Sequence, residues 1–304
     1  MEKYDIIIIG SGPAGLTSGI YAGRQGTKTL MIDKGPAGGL GLEVPMMENY
    51  PGYEIIAGMS LIKEMKKQAL KTTPLKEMEE ILSVQPNEDN FLIKSNKGEY
   101  LSKSIILCTG NQHRKLGVKG EDKFLGRGVC YCATCDGPLF AGKKVFMIGG
   151  GNTAVQEAIF LKNIGCDVTL VHRRDELRAD KYLQKKLETL NIGIIWDTVV
   201  EEIKGEISLE TIVLKNVKTS QENEVEAQGI FISVGDIPIN KLAKELGVNL
   251  DQSGYIITDK FQKTNIPRVY AAGDITGGYK QWVIACSEGA VAAMAAYDDL
   301  EKIY

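Results

Sequence analysis

The sequence predicts an α/β protein made of two Rossmann-like, three-layer nucleotide-binding units with added β-strands. Three observations predict it. A short apolar run leading into a glycine-rich turn and a helical stretch occurs twice. The two copies keep the same internal spacing. Stretches rich in β-branched residues, with turn signals, lie between and after the copies.

The first copy opens with Ile6 to Ile9 and turns through Gly10-Ser11-Gly12-Pro13-Ala14-Gly15. A helical stretch follows, and Thr29 to Ile32 forms the next strand. The second opens with Val145 to Ile148 and turns through Gly149-Gly150-Gly151-Asn152-Thr153-Ala154 before the strand Val168 to Val171. Gly10 to Asp33 and Gly149 to His172 are both 23 steps. A lone glycine fingerprint is a weak signal, because glycine marks any tight turn. Here each copy has a strand before it, a helix after it and a second strand on schedule. The first glycine permits the turn and the second lets the backbone approach a pyrophosphate. The third position, Gly15 or Ala154, lets helix and strand pack closely. The pyrophosphate then sits on free N–H groups at the helix start.

The residue that ends the second strand separates the two ligands. Asp33 offers a carboxylate to ribose hydroxyls and repels a 2′-phosphate. His172 is followed by Arg173, Arg174 and, four residues on, Arg178, whose guanidinium forks match phosphate oxygens. The alternative for this cluster is a solvated helix start, with Asp175 and Glu176 as charged neighbours. Its register favours phosphate. The first site therefore fits FAD and the second NADPH.

Further strands are expected within Ile81 to Ser95, Tyr100 to Cys108 and Val199 to Val217, with turn signals at Pro86-Asn87, Asn96-Lys97-Gly98 and Lys204-Gly205. Helices are expected at Met59 to Leu70, Asp180 to Leu190 and Val283 to Leu300. Glycine and proline near Gly110 to Gly120 and Gly235 to Pro238 suit hinges. A chain of 304 residues with 43% apolar and 25% charged residues is long enough for two cored domains. A formal charge of -3 gives no basic excess for nucleic acid. The longest apolar run near the start, Ile6 to Ile9, is too short for a membrane span or a signal segment, so a cytoplasmic protein is expected.

The sharpest chemistry lies at Cys132-Ala133-Thr134-Cys135-Asp136-Gly137. Two cysteines three apart meet on one helical turn, so a disulfide can close and reopen there. A helix start lowers the proton affinity of the first thiol, and the thiolate is the attacking species. Asp136 is placed to give or take the proton. A structural zinc would want four ligands. The chain has two histidines, His113 and His172, and no second Cys-x-x-Cys, so no metal is expected. Cys108, Cys166 and Cys286 read as small core residues. Cys130 reads either as a buried strand residue or as a third exchanging thiol.

These motifs, together with Glu48-Asn49-Tyr50-Pro51-Gly52, Thr109-Gly110 and Ala272-Gly273-Asp274, span nearly the whole chain. Their combination resembles the low-molecular-weight thioredoxin reductase family. The resemblance implies an FAD domain built from residues 1–114 and 242–304, with an NADPH domain, 115–241, inserted between them and carrying the dithiol. It implies a homodimer and a thioredoxin or thioredoxin-like partner. It implies that Cys135 takes electrons from the flavin, that Cys132 attacks the substrate disulfide with Asp136 as proton donor, and that the dithiol alternates between flavin and partner as one domain rotates. It carries FAD contacts to Lys34, Gly39, Leu40, Asn49, Thr109, Gly110, Gly273, Asp274, Lys280, Gln281 and Trp282, beside the first fingerprint and Asp33.

Three departures stand out. Gly38-Gly39-Leu40 replaces the usual Gly-Gly-Gln, and Lys280-Gln281-Trp282 replaces Arg-Gln-Ala. Pro138-Leu139-Phe140 follows the dithiol where bacterial members often carry two aromatics. Two further readings keep the dithiol. One is the same fold with NADH or a reduced deazaflavin as donor, or acting as a small-molecule dithiol oxidase. The other is a nucleotide-binding redox sensor without turnover.

Overall fold

A computed structural model describes residues 1–301 except 45, 46 and 48, and omits the side chains of Glu43 and Cys135. Glu48 of the expected Glu48-Asn49-Tyr50-Pro51-Gly52 motif lies outside the described residues. The chain divides into two compact units, Met1–Gln112 with Ile237–Tyr304, and His113–Asp236.

The first unit contains, in chain order, β1 (Glu2–Ile9), α1 (Pro13–Arg24), β2 (Thr29–Ile32), α2 (Gly58–Ala69), β3 (Leu75–Lys76), β4 (Ile81–Asn87), β5 (Asn90–Ser95) and β6 (Glu99–Leu107). β7 (Asn111–His113) leads into the second unit, which runs through β8 (Val129–Cys130), α3 (Ala133–Asp136), β9 (Lys144–Gly149), α4 (Asn152–Asn163), β10 (Asp167–Val171), α5 (Lys181–Thr189) and β11 (Gly193–Ile195). It continues with β12 (Thr198–Lys204), β13 (Thr211–Asn216), β14 (Glu222–Glu226) and β15 (Gly229–Ser233). β16 (Asp236–Pro238) pairs with β7, and α6 (Lys241–Glu245), β17 (Val269–Ala271) and α7 (Trp282–Glu301) complete the first unit.

In the first unit the sheet order is β3-β2-β1-β6-β5-β4, with β17 also on β6. β1 runs parallel to β2 and β6, while β5 is antiparallel to β6. Because successive strand residues point to opposite faces, Ile6 and Ile8 enter one core with Leu16, Met31 and the alanines of α7. Ile7 and Ile9 enter the other with Phe91, Ile93 and Leu242. A strand buried on both faces reads as an unbroken apolar run, which is why Ile6 to Ile9 is so legible.

In the second unit β11-β10-β9-β15-β8 form a parallel sheet. Val145 and Met147 of β9 face the core under α4, and Phe146 and Ile148 face that of the antiparallel sheet β12-β13-β14. That makes three layers: helices, parallel sheet, antiparallel sheet. Two expectations shift. The β4–β5 turn falls at Glu88-Asp89, after Pro86-Asn87, and Glu88 adopts φ 50. Pro86 lies inside β4 because β4 is an edge strand, where the missing N–H costs no ladder bond. β14, with the composition ENEVE, carried no apolar alternation to mark it; it pairs on one side only, and its side chains are largely exposed.

Candidate active site and nucleotide cradles

In the first unit, the turn after β1 is built by close backbone contact. A Cβ on Gly10 would lie 2.2 Å from the Cys108 carbonyl oxygen, and one on Gly15 would lie 1.9 Å from the Gly10 carbonyl oxygen. Any side chain at either position would push α1 off the sheet. Gly12 is different, because a Cβ there would meet only the Gly38 carbonyl oxygen, at 3.8 Å. The outer face of the turn is therefore bare backbone. Pro13 occupies the first turn of α1, and Ala14 packs into the core. Among the described residues no side chain caps the α1 start, which leaves its N–H groups available to an anion.

Asp33 ends β2 and braces this turn. Its Oδ2 accepts the Ser11 N–H at 2.6 Å and the Ser11 hydroxyl at 2.7 Å, while Oδ1 accepts the Gly35 N–H at 2.9 Å. Lys34 is exposed beside it. The Gly38 N–H donates to the Ser11 carbonyl, and Gly39 stands against Gly12, so the loop carrying Leu40 closes on the fingerprint.

Distant segments complete this cradle. The Asn49 side chain donates to Gln281 Oε1 at 3.0 Å across 232 residues of sequence. Trp282 packs on Gly41 and edge-on to Tyr50, with ring centroids 6.4 Å apart. Its Nε1 is buried and has no hydrogen-bond partner among the described residues. Lys280 lies over the Tyr255 ring. Thr109 donates its hydroxyl to the Ile239 carbonyl, and Gly110 accepts the Ile239 N–H. Gly273, at φ 83, precedes the short helical turn that begins at Asp274.

Sequence reasoning missed Glu288. Its Oε2 accepts the Gly273 N–H at 2.7 Å and the Thr276 hydroxyl at 3.0 Å, and burial raises its proton affinity. The available signal was its isolation as the one charged residue from 282 to 296.

In the second unit, the turn after β9 repeats the design. α4 starts at Asn152 with no side-chain cap among the described residues, and a Cβ on Gly151 would meet nothing within 4 Å. Gly149, at φ 159, presses on Ala154 inside the turn, while Thr153 is exposed. Asn152 exchanges two hydrogen bonds with Asp180: its amide donates to Asp180 Oδ2 at 2.9 Å, and its Oδ1 accepts the Asp180 N–H at 2.8 Å. The Arg178 N–H donates to the Gly150 carbonyl. These bonds fold the arginine loop onto the glycine turn. Arg173, Arg174 and Arg178 are exposed.

His172 is buried instead. Burial lowers its proton affinity, and Nδ1 donates to the Gly149 carbonyl at 2.9 Å. Its ring fills the space beside Gly150. In this structure the ring supports the turn from beneath.

The dithiol segment belongs to the same unit. Cys132 is disulfide-bonded, while Cys108, Cys130, Cys166 and Cys286 are free. Cys135 lies on α3, and its side chain lies outside those described. Cys132 Sγ lies 3.3 Å from the Thr134 hydroxyl, and the Asp136 N–H donates to the Cys132 carbonyl at 3.1 Å. Cys130 is a buried β8 residue. Burial raises the proton affinity of its thiol, as do the charge of Asp136 and the hydrogen bond to that carboxylate. Burial also pushes the Cys108 thiol up to about 12 and raises those of Cys166 and Cys286. These four are poor nucleophiles at neutral pH.

Known proteins share this architecture. Residues 4–289 match the pyridine nucleotide-disulphide oxidoreductase family model. The chain is 43% identical over 302 residues to a thioredoxin reductase of Peptoclostridium acidaminophilum, covering 96% of each chain. It is 40% identical over 303 residues to a thioredoxin reductase of Treponema pallidum, covering 99% of this chain and 98% of the relative. The solved structure of Lactococcus lactis thioredoxin reductase superposes with a TM-score of 0.85 at 40% identity, covering 98% of this chain and 99% of that one. Two uncapped glycine turns and a disulfide-bonded Cys132 on one chain, matched over nearly full length, place it in the pyridine nucleotide-disulphide oxidoreductase family and, within that, among the low-molecular-weight thioredoxin reductases.

Proposed function

We infer that this chain is an NADPH-dependent flavoprotein that reduces the disulfide of thioredoxin or a thioredoxin-like protein. The observation that carries the reading is the disulfide at Cys132, beside a short helix, in a chain with two uncapped glycine turns. FAD is assigned to the unit of residues 1–112 and 237–304, and NADPH to the unit of residues 113–236. A bound flavin supplies the two-electron chemistry that links a nicotinamide to a disulfide.

The chain's own residues do the rest. The fingerprint N–H groups of α1 hold the FAD pyrophosphate, and the turn braced by Asp33 keeps them aimed. Arg173, Arg174 and Arg178 bind the 2′-phosphate, which favours NADPH over NADH. Cys132 pairs with Cys135. Cys135 takes electrons from the flavin, and Cys132 is the interchange thiol. Asp136, which accepts the Cys130 thiol in the oxidised state, returns a proton to the departing sulfur. Pro138 and Leu139, both exposed next to α3, offer an apolar contact to the partner. The enzyme works as a homodimer in the cytoplasm. No described helix is long and apolar enough to cross a membrane.

The test is an anaerobic titration. NADPH should bleach the flavin of the wild type and of Cys132→Ser and Cys135→Ser alike. Only the wild type should pass electrons to a thioredoxin. Wild-type disulfide turnover in either mutant would refute the assignment.

A further inference from the structure

Beneath the dithiol helix lies an acid that the reaction as described leaves unused. Glu157 sits on α4, whose buried face is formed by Ala154, Val155, Ala158 and Leu161. It lies one turn from Ala154 and one turn from Leu161, and its half-buried side chain turns the carboxyl toward α3. Two bonds hold it there. It accepts the backbone N–H of Ala133, the residue next after Cys132, and the hydroxyl of Ser233 at the end of β15.

The charged groups facing it are His113 from β7 and Asp236 from β16, which contact each other at 3.2 Å. The other titratable groups of this region, Asp136 on α3 and Cys130 on β8, bond to each other. Glu157 is thus the carboxyl tied to the backbone beside Cys132. Burial pushes it up to about 7, the Ser233 and Ala133 bonds and His113 pull against that, and Asp236 adds to it. It changes charge in the range where thiols are exchanged.

We propose that Glu157 is a positioning residue for the dithiol, which holds the Ala133 N–H as a carboxylate and takes up a proton when the neighbouring disulfide is reduced. The proposal rests on the reading of Cys132 and Cys135 as the redox pair. Two electrons, supplied by NADPH in the proposed reaction, break the S–S bond. With one proton taken up, the products are one thiol and one thiolate. A thiolate at Cys132 and a carboxylate bonded to the N–H of the next residue are neighbouring like charges, so they titrate as a pair. A solvent proton added to Glu157 offsets the new charge. When the Cys132 thiolate bonds to the substrate sulfur its charge leaves, and Glu157 releases the proton. In the oxidised state no thiolate is present and Glu157 returns to its Ala133 bond.

The experiment uses FAD-loaded Cys135→Ser enzyme, in which Cys132 is a free thiol, alone and combined with Glu157→Gln or Glu157→Asp. Iodoacetamide alkylation of Cys132 is followed from about pH 5 to about pH 9, a range that spans the carboxyl and thiol titrations. The parent should show a two-step profile. Glu157→Gln should collapse it to one step at lower pH, with alkylation near neutrality about tenfold faster, equivalent to one pKa unit. Glu157→Asp keeps the acid and should restore two steps, which a merely structural role would not do. Superimposable profiles, or equal effects of Gln and Asp, would overturn the role of Glu157 alone. A Cys132 inert at every pH would overturn the dithiol reading and this proposal with it.

Discussion

Asp33→Asn keeps the shape of the side chain at the end of β2 and removes its charge. In the native turn three donors converge on this carboxylate: the Ser11 N–H, the Ser11 hydroxyl and the Gly35 N–H, at 2.6, 2.7 and 2.9 Å. An asparagine oxygen can keep the two Ser11 bonds only if its amide nitrogen turns toward the Gly35 N–H, where donor meets donor. One charge-assisted bond is then lost, at about 1.5–3 kcal/mol, and two become neutral bonds weaker by about 1 kcal/mol each. Ser11 is fully buried, so water cannot replace what it loses. The total is about 3.5–5 kcal/mol, expressed in the turn that would hold the pyrophosphate. That amounts to a loss of FAD affinity of about a hundredfold or more, since about 1.4 kcal/mol is tenfold. The assay is equilibrium binding of FAD to stripped enzyme, by recovery of flavin absorbance after ultrafiltration, beside the melting temperature of the loaded protein. An FAD affinity within threefold of wild type, with an unchanged melt, would refute the argument that Asp33 holds this turn.

Two other outcomes are expected. Arg173→Ala with Arg174→Ala should raise the KM for NADPH at least tenfold and more than that for NADH, since each charged bond lost is worth about 1.5–3 kcal/mol; equal use of both cofactors by the wild type would mean that the exposed loop does not read the 2′-phosphate. Glu157 should make the fold pH-dependent, because its folded-state value, about 7, lies above the 4.5 of an ordinary glutamate. The folded state therefore favours the protonated form. The contribution is full below the unfolded value and is lost as pH rises through about 7. Glu157→Gln should accordingly gain stability on the wild type as pH rises from about 5 to about 8, by up to about 3 kcal/mol at 1.36 kcal/mol per unit; a constant difference in melting temperature across that range would count against a titrating Glu157.

The two glycine turns, the strands that feed them and the Cys-x-x-Cys segment were legible in the sequence because each is a local constraint. Gly10 and Gly15 must be glycine because backbone lies within about 2 Å of any Cβ, and that requirement leaves its mark at a fixed spacing. Buried parallel strands leave apolar runs, so β1 and β9 announced themselves. Other features rest on contacts between segments far apart in the chain. Asn49 meets Gln281, and Glu288 meets Gly273, only because α7 packs on the first unit's sheet. His172 stands where a nucleotide contact was expected, yet the fold turns its ring under Gly150 and spends Nδ1 on the Gly149 carbonyl. Cys130 was open between a core residue and a third exchanging thiol, and its burial in β8 against Asp136 makes it a proton-holding neighbour. Glu157 carries no mark in the sequence that sets it beside the dithiol. Backbone geometry and chain-local hydrophobicity are written residue by residue, so the sequence by itself determined the cradles and the dithiol. Burial and proton affinity depend on what the rest of the chain places around a group, so only the tertiary structure decided which acids lie beside the sulfurs and which side chains brace the turns.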